Sequence, residues 1–184
     1  MTKDDTFILY FGGHGAPDVD GTSNDNDGLK KYLLLHDSEL DSLPMTALSL
    51  NNLAMLLEKL PCKRVVILLD SCFAGTAGVQ TLAKLKGLRV SEKSYKNITD
   101  MSGEGRVILA ASSENQVSLE DDSLQAGVFT HYLLEGLSGM ADLKGDGKIN
   151  ILGLYEYVTK EVSKYTQNKQ SPVFRGTLDM NIIF

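Results

Sequence analysis

The stretch of residues 64–75, RVVILLDSCFAG, constrains the fold more than any other part of the chain. Five consecutive apolar residues, 65–69, are followed at once by Asp70, Ser71 and Cys72. A short, β-branched apolar run bounded by charges predicts a strand buried on both faces, as in a parallel sheet. Open α/β sheets place their chemistry at the carboxyl ends of such strands. The sequence therefore predicts an α/β fold that displays Cys72 where a thiol can act as a nucleophile.

An earlier stretch has the same design and ends on a histidine. Residues 6–11 are apolar and run directly into Gly-Gly-His-Gly at residues 12–15. If the two strands are parallel, His14 and Cys72 emerge at the same edge of the sheet. An imidazole beside a thiol is the minimum for nucleophilic catalysis, and the N–H groups of Gly15 and Cys72 would form an oxyanion hole.

Each of these two residues also has a simpler interpretation. A cysteine after a strand is more often a small buried hydrophobe than a nucleophile, and a histidine beside glycines is more often a turn residue. Here both occur at the ends of apolar strands and both are flanked by glycine. This coincidence favours a catalytic pair.

The two motifs together, strand–Gly-His-Gly and strand–Asp-Ser-Cys-x-x-Gly, resemble the caspase-like cysteine peptidases, which include caspases, metacaspases and bacterial relatives. Further similar segments are residues 32–37, 107–113, 127–136 and 170–174. The resemblance covers nearly the whole chain and implies a caspase-haemoglobinase-like α/β fold, with a mostly parallel central sheet flanked by helices on both faces. It implies one peptidase domain, with large-part motifs in residues 1–80, a linker in 81–105 and small-part motifs in 106–184.

The resemblance also implies a basic specificity, carried by Asp70. In the family, the residue two before the nucleophile lines the pocket for the substrate side chain that precedes the cut. Metacaspases carry aspartate there and accept arginine or lysine, whereas caspases carry a neutral glutamine. A carboxylate matches a guanidinium in charge and bidentate geometry. The alternative is that Asp70 only caps the turn around Cys72.

Four other residues are expected to line the same pocket. Gly12 stands where metacaspases often carry serine, which removes one polar contact. The other three lie in the loop expected to form another wall: Ser113, Glu114 and Glu120.

These expectations combine into a cysteine endopeptidase that cleaves after basic residues with a Cys72–His14 dyad, without metal or cofactor. Processing within the linker, where residues 84–96 are rich in lysine and arginine, is expected to activate it. Two alternatives remain open. One is a catalytically silent caspase-like module that binds a partner. The other is an aspartate-specific peptidase, which would need arginines in the pocket.

Composition narrows the choice of partners. The net charge is −6 and the pI is about 5.0, which argues against nucleic acid, and no basic cluster is dense enough to predict a membrane surface. No apolar run approaches the roughly 20 residues of a membrane-spanning helix. Two cysteines, Cys62 and Cys72, give no disulfide framework. A free reactive thiol suits a reducing compartment, so a cytoplasmic location is expected.

Two acidic segments raise the question of calcium. Residues 142–149 look like part of an EF-hand loop, but Lys144 occupies the third position and Gly153 the twelfth, where oxygen ligands are needed. This segment instead predicts a glycine turn before a helix capped by Asn150. The aspartates of residues 18–27 predict a solvated loop.

The remaining elements follow from periodicity and capping signals. We expect a loop over 16–31, a strand over 32–35 and a helix between residues 48 and 60 that Ser49 caps. Later elements are a strand over 107–111, helices near 77–86 and over 127–137 and 151–165, and a last strand over 178–184.

The first strand is expected to lack a neighbour. In the resembling fold, two strands precede the strand that carries the histidine, whereas here that strand begins within six residues of Met1. Residues 6–11 would then form an edge strand with unpaired backbone groups. We expect a companion polypeptide to complete the sheet, with the amino-terminal part of the same precursor as first candidate and a second copy of the chain as the alternative.

Overall fold

The computed structural model describes residues 1–19, 29–72, 105–112, 116, 118–176 and 182–184. Its strands are β1 (Thr6–Val19), β2 (Leu29–Leu33), β3 (Leu48–Ser49), β4 (Arg64–Cys72), β5 (Arg106–Ala110), β6 (Glu120–Asp121), β7 (Ala126–Gly127) and β8 (Val173–Gly176). Its helices are α1 (Leu43–Thr46), α2 (Leu50–Glu58), α3 (Val128–Glu135) and α4 (Ile151–Tyr165). A π-helical turn, Gly136–Met140, follows α3 directly.

Six strands form one mixed sheet in the order β3-β2-β1-β4-β5-β8, and β6 pairs with β7 in a separate ribbon. The three central strands, β1, β4 and β5, are parallel to one another. The outer pairings, β1 with β2, β2 with β3 and β5 with β8, are antiparallel. The expected α/β fold is confirmed, and among the described strands the parallel pairings are those of the three central ones.

Strand β4 lies at the centre of the core. All five residues of its apolar run are buried, as the sequence predicts, and their side chains alternate between the two faces of the sheet. Val65, Ile67 and Leu69 pack with α2 on one face, and Val66 and Leu68 pack with α3 and α4 on the other. Helices therefore cover both faces of the central strand.

Two of the predicted helix caps are present. The Ser49 hydroxyl accepts a hydrogen bond from the Asn52 N–H at 3.1 Å, at the start of α2. The Asn150 side chain accepts one from the Gly153 N–H at 2.8 Å, and α4 has the predicted bounds of 151–165. Local capping signals thus locate both helix starts, because they depend on residues only a few positions apart.

The first hairpin differs from the prediction. Strand β1 continues to Val19 through residues expected to form a loop, and β2 begins at Leu29 rather than at Tyr32. Ala16–Val19 pair antiparallel with Leu29–Tyr32. Because both arms of the hairpin are polar, their sequence does not predict strands. The pair is stabilised by the cross-strand ladder rather than by local propensity.

Other differences concern the faces of helices and the end of the chain. Leu56 of α2 and Leu134 of α3 are each 57% exposed although Leu57 and Leu133 beside them are buried, because neighbouring helix residues point about 100° apart. The last strand of the sheet is β8, which ends at residue 176. Of the predicted strand 178–184, the structure describes residues 182–184, and there Ile183 pairs with Asn150 in an isolated bridge. Residues 177–181 and the helix predicted near 77–86 lie outside the described residues.

The predicted turn before α4 is organised by the Asp142 carboxylate. It accepts hydrogen bonds from the N–H groups of Gly147 at 2.7 Å and Gly145 at 2.8 Å. It also accepts two longer hydrogen bonds, from the N–H groups of Lys144 and Asp146. These bonds, that of Gly147 foremost, lower the pKa of Asp142 from its ordinary value of 3.8. The loop is thus a turn closed by one carboxylate.

This lowered pKa predicts a pH-dependent contribution to stability. Because the pKa of Asp142 is lower in the folded than in the unfolded chain, its stabilisation is present above about pH 4 and is lost as the pH falls through the folded pKa. We expect Asp142→Asn to lower the melting temperature at pH 7 and to have a smaller effect near pH 2.5. Asp146→Asn is the control, since Asp146 accepts a single N–H, from Lys148. An equal loss at both pH values would contradict this.

Candidate active site

The two strand-end motifs meet because β1 and β4 are adjacent and parallel. Their register runs from Thr6 opposite Arg64 to His14 opposite Cys72. Neighbouring strands lie about 4.8 Å apart, so the backbones of these last two residues are side by side. The structure describes Cys72 through its backbone. The His14 side chain is exposed, and no described residue makes a hydrogen bond or ion pair with its imidazole.

Gly15 lies at the point where β1 changes its partner. The His14 carbonyl accepts a hydrogen bond from the Leu34 N–H at 2.9 Å, so the backbone groups of His14 face β2. Successive residues of a strand direct their backbone groups to opposite sides, and the Gly15 N–H therefore faces the β4 side. This is the side on which Cys72 lies.

A cavity of about 520 Å³ opens beside these strand ends. It is lined by Tyr10, Gly12, Gly13, His14, Asp70, Ser118, Leu119, Glu120, Ala126, Gly127 and Thr130. Four residues expected from the sequence are thus brought together: Gly12, His14, Asp70 and Glu120. Two others expected in the same wall, Ser113 and Glu114, lie outside the described residues.

The Asp70 carboxylate is held by two hydroxyl groups from distant parts of the chain. Ser118 Oγ donates to its Oδ1 at 2.6 Å, and Thr130 Oγ1 donates to its Oδ2. A Cβ at Gly127 would lie 2.5 Å from the same Oδ2, so the carboxylate occupies space that only glycine leaves free. Both of these partners come from other parts of the fold, and the turn that follows Cys72 lies outside the described residues.

Behind Ser118 lies Gln170, a fully buried polar side chain. Its Oε1 accepts the Leu119 N–H at 2.9 Å, and its Nε2 donates to the Ala111 carbonyl at 2.9 Å and to Ser118 Oγ at 3.4 Å. Gln170 thereby fastens the segment that carries Ser118 to the end of β5. Buried amides of this kind stabilise a unique arrangement when every hydrogen-bonding group is satisfied.

Sequence reasoning did not identify Tyr10, Ser118, Thr130 or Gln170 as site residues. Ser118 and Thr130 are 48 and 60 positions from Asp70. No local spacing connects residues so far apart. The only available signal was that Thr130 lies in the first turn of a helix that follows a glycine, which is common in proteins.

The charges at the cavity are acidic. Asp70 and Glu120 both line it, and Glu120 is exposed. Three arginines are engaged elsewhere: Arg64 donates to Thr6 Oγ1 at 3.0 Å, Arg106 to the Leu57 carbonyl at 3.2 Å, and Arg175 to the Phe174 carbonyl at 3.2 Å. None of the three lines the cavity. The fourth, Arg89, lies outside the described residues.

Two further features concern the described part of the chain as a whole. It contains no group of three or more histidine, cysteine, aspartate or glutamate residues that could hold a metal ion. None of its helices combines the length and the apolar character needed to cross a membrane.

Comparisons with known proteins agree with this architecture. Residues 1–182 match the caspase domain family. No curated protein matches the chain significantly. The crystal structure of protein GSU0716 from Geobacter sulfurreducens is similar, with a TM-score of 0.61 at 21% sequence identity over 97% of this chain and 69% of that one. At this level of identity the likeness shows a shared fold.

Proposed function

Because the chain belongs to the caspase domain family, we propose that it is a cysteine endopeptidase that cleaves after arginine or lysine. The match to the caspase domain supports a cysteine peptidase-like function. The proposed dyad and the proposed basic specificity are supported by one observation above all. The parallel register of β1 and β4 puts His14 opposite Cys72 at the mouth of an acidic cavity.

In the proposed reaction, His14 first takes the proton of the Cys72 thiol, and the resulting thiolate attacks the carbonyl carbon of the scissile peptide bond. The N–H groups of Gly15 and Cys72 stabilise the oxyanion that forms on the carbonyl oxygen. His14 then donates a proton to the leaving amine, and a thioester with Cys72 remains. A water molecule, deprotonated by His14, hydrolyses this thioester and restores the thiol.

The specificity follows from the charge of the cavity. An arginine side chain entering it would meet the Asp70 carboxylate, with Glu120 as a second acidic group. A guanidinium binds such a carboxylate with two parallel hydrogen bonds. An aspartate side chain would meet like charge, and the three described arginines are engaged elsewhere. These contacts support the basic specificity over the aspartate-specific alternative.

A peptide library that varies the residue before the cut tests the proposal. We expect cleavage after arginine and lysine and none after aspartate. A measured preference for aspartate would overturn the specificity. The silent-module alternative is tested by an arginine-containing probe with a thiol-reactive end group. A protein that neither cleaves peptides nor is labelled at Cys72 would be a binding module. Activation by processing of the linker belongs to the proposal, but residues 81–104 lie outside the described residues.

The amino-terminal half of β1 supports a second proposal, that a companion polypeptide adds a strand there. Strand β1 pairs with β4 over Thr6–His14, whereas β2 reaches it only at Gly15–Val19. In the described part of the chain, nothing else pairs with its other edge along the first segment. Ile8 and Tyr10 are each 47% exposed there. An open, apolar edge of this kind is a template for another strand.

Light scattering on residues 1–184 alone tests the companion strand. We expect self-association, because the open edge pairs with whatever strand is present. Ile8→Lys, which puts a charge on this strand outside the cavity, should reduce the association. A defined dimer would identify the second copy as the partner. A stable, active monomer would show that no additional strand is needed.

A further inference from the structure

Tyr10 occupies a position in the cavity that neither catalytic motif explains. It lies on β1, four residues before His14, and its ring is 47% exposed and lines the cavity. Its hydroxyl is 2.8 Å from Thr130 Oγ1, 120 positions away in the sequence. Thr130 is the residue that donates to Asp70 Oδ2. Tyr10 is therefore one hydrogen bond removed from the carboxylate to which the proposed specificity is assigned.

Counting protons fixes the direction of both hydrogen bonds. A threonine hydroxyl has one proton to donate. Since Thr130 uses that proton for Asp70, it can only accept from Tyr10, and the Tyr10 hydroxyl must be the donor. The two bonds form a directed relay from Tyr10 through Thr130 to Asp70. A hydroxyl that is itself hydrogen-bonded in this way is both oriented and polarised toward its acceptor.

The residue at position 12 leaves room for this relay. A Cβ built on Gly12 would overlap the Tyr10 hydroxyl and lie 3.1 Å from the adjoining ring carbon Cζ. Any side chain at position 12 would therefore push the phenol away from Thr130. The absence of a side chain at Gly12 and the position of the Tyr10 hydroxyl are two parts of one arrangement.

We propose that Tyr10 is a specificity-determining residue of this pocket, and that it acts by orienting the Thr130 hydroxyl toward Asp70. The inference rests on the proposed basic specificity. With the relay intact, the two hydroxyl donors Ser118 and Thr130 hold the Asp70 carboxylate in one orientation. A guanidinium that binds it does not have to order it first, which raises affinity for a charged side chain. Without the Tyr10 hydroxyl, Thr130 is free to rotate away.

The test compares matched peptides that carry arginine or citrulline before the cut. Citrulline has the same shape as arginine but no charge. Tyr10→Phe keeps the ring and removes the hydroxyl, and we expect it to lower the arginine-to-citrulline ratio of kcat/KM about tenfold, mainly through KM for the arginine peptide. Thr130→Val should lower the ratio at least as much, and Thr130→Ser should retain it. The double variant Tyr10→Phe/Thr130→Val should be no worse than Thr130→Val, because the two residues act in series.

Tyr165→Phe is the control. Its hydroxyl also donates to a carboxylate, that of Asp121 at 2.7 Å, but neither residue lines the cavity. It should leave the ratio unchanged. Gly12→Ala should lower the ratio in the parent protein and have little further effect in the Tyr10→Phe variant.

The proposal is overturned if Tyr10→Phe leaves the ratio unchanged, or if it lowers kcat/KM for both peptides equally, since that would be a structural effect. Titrating the Cys72→Ala protein with both peptides measures the same preference without turnover. If the parent protein prefers arginine and the Tyr10→Phe variant retains this preference, only the role of Tyr10 is refuted. A parent protein with no preference in cleavage or in binding refutes the basic pocket as well.

Discussion

Replacing Cys72 with alanine is expected to lower kcat/KM for peptide hydrolysis by at least about 10⁴-fold, because in the proposed reaction its sulfur is the attacking atom and no described side chain can take its place. His14→Ala should lose activity by a similar factor, since the leaving amine then departs without a positioned proton donor. The effects of the two substitutions should not add. Residues that act as one catalytic unit lose most of their combined contribution when either is removed.

Cys62→Ala is the matched control for the loss of a thiol. Cys62 is buried beside α2, in the hydrophobic cluster on the face of the sheet that α2 covers, and it does not line the cavity. Its substitution should leave kcat/KM within about twofold, an estimate based on the small size of the group removed. Circular dichroism on each variant shows whether the fold is kept. Full activity in a folded Cys72→Ala protein would refute the assignment of the nucleophile.

Asp70→Asn is the second substitution with a large expected effect. The amide keeps the size of the carboxylate but loses its charge, and its NH₂ group would face a hydroxyl that now has no acceptor. An arginine side chain would then be desolvated without an ionic partner, which costs about 1.5–3 kcal/mol or more for a charged group. We expect kcat/KM for arginine peptides to fall about 100-fold and that for citrulline peptides to change little.

Asp121→Asn serves as the control for the loss of a carboxylate near the cavity. Asp121 is adjacent to Glu120 in β6, but its oxygens accept hydrogen bonds from Ser123 and Tyr165 and it does not line the cavity. It should retain the preference for arginine. The pocket assignment fails if Asp70→Asn cleaves arginine peptides as well as the parent protein does, while Glu120→Gln loses the preference.

The parts of the fold that could be predicted have their causes close together in the sequence. The apolar run before Asp70 identifies a strand that is buried on both faces, and the run before His14 identifies its neighbour. Once both are parallel strands, their polar ends must meet at one edge, and this brings together the two residues of the proposed dyad. Helix α4 was predicted with its observed bounds because a cap, a periodic apolar face and a length typical of helices coincide there.

The hydroxyl groups that hold Asp70 in the cavity could not be predicted, because their causes are not local. Ser118 and Thr130 contact Asp70 only after β4, β5 and α3 have packed together. Gln170, which stabilises the segment that carries Ser118, is 52 positions away from Ser118 in the sequence. No pattern in the sequence distinguishes these serine, threonine and glutamine residues from the many that face solvent. The same reason explains why the hairpin of β1 and β2 was not predicted. Its polar arms form strands because they pair with each other.

The register of β1 and β4 determines the stage of folding at which the proposed catalytic pair can form. Thr6 and Arg64 are 58 positions apart, and the same offset separates His14 from Cys72. Closing so long a loop costs entropy before any contact repays it, so such non-local parallel pairings form slowly. Until this ladder has formed, the chain contains the thiol of Cys72 and the imidazole of His14, but the two groups are not held side by side. On the proposed function, a newly synthesised chain is therefore inactive until this ladder forms, because the proposed dyad of His14 and Cys72 is brought together only in the assembled sheet.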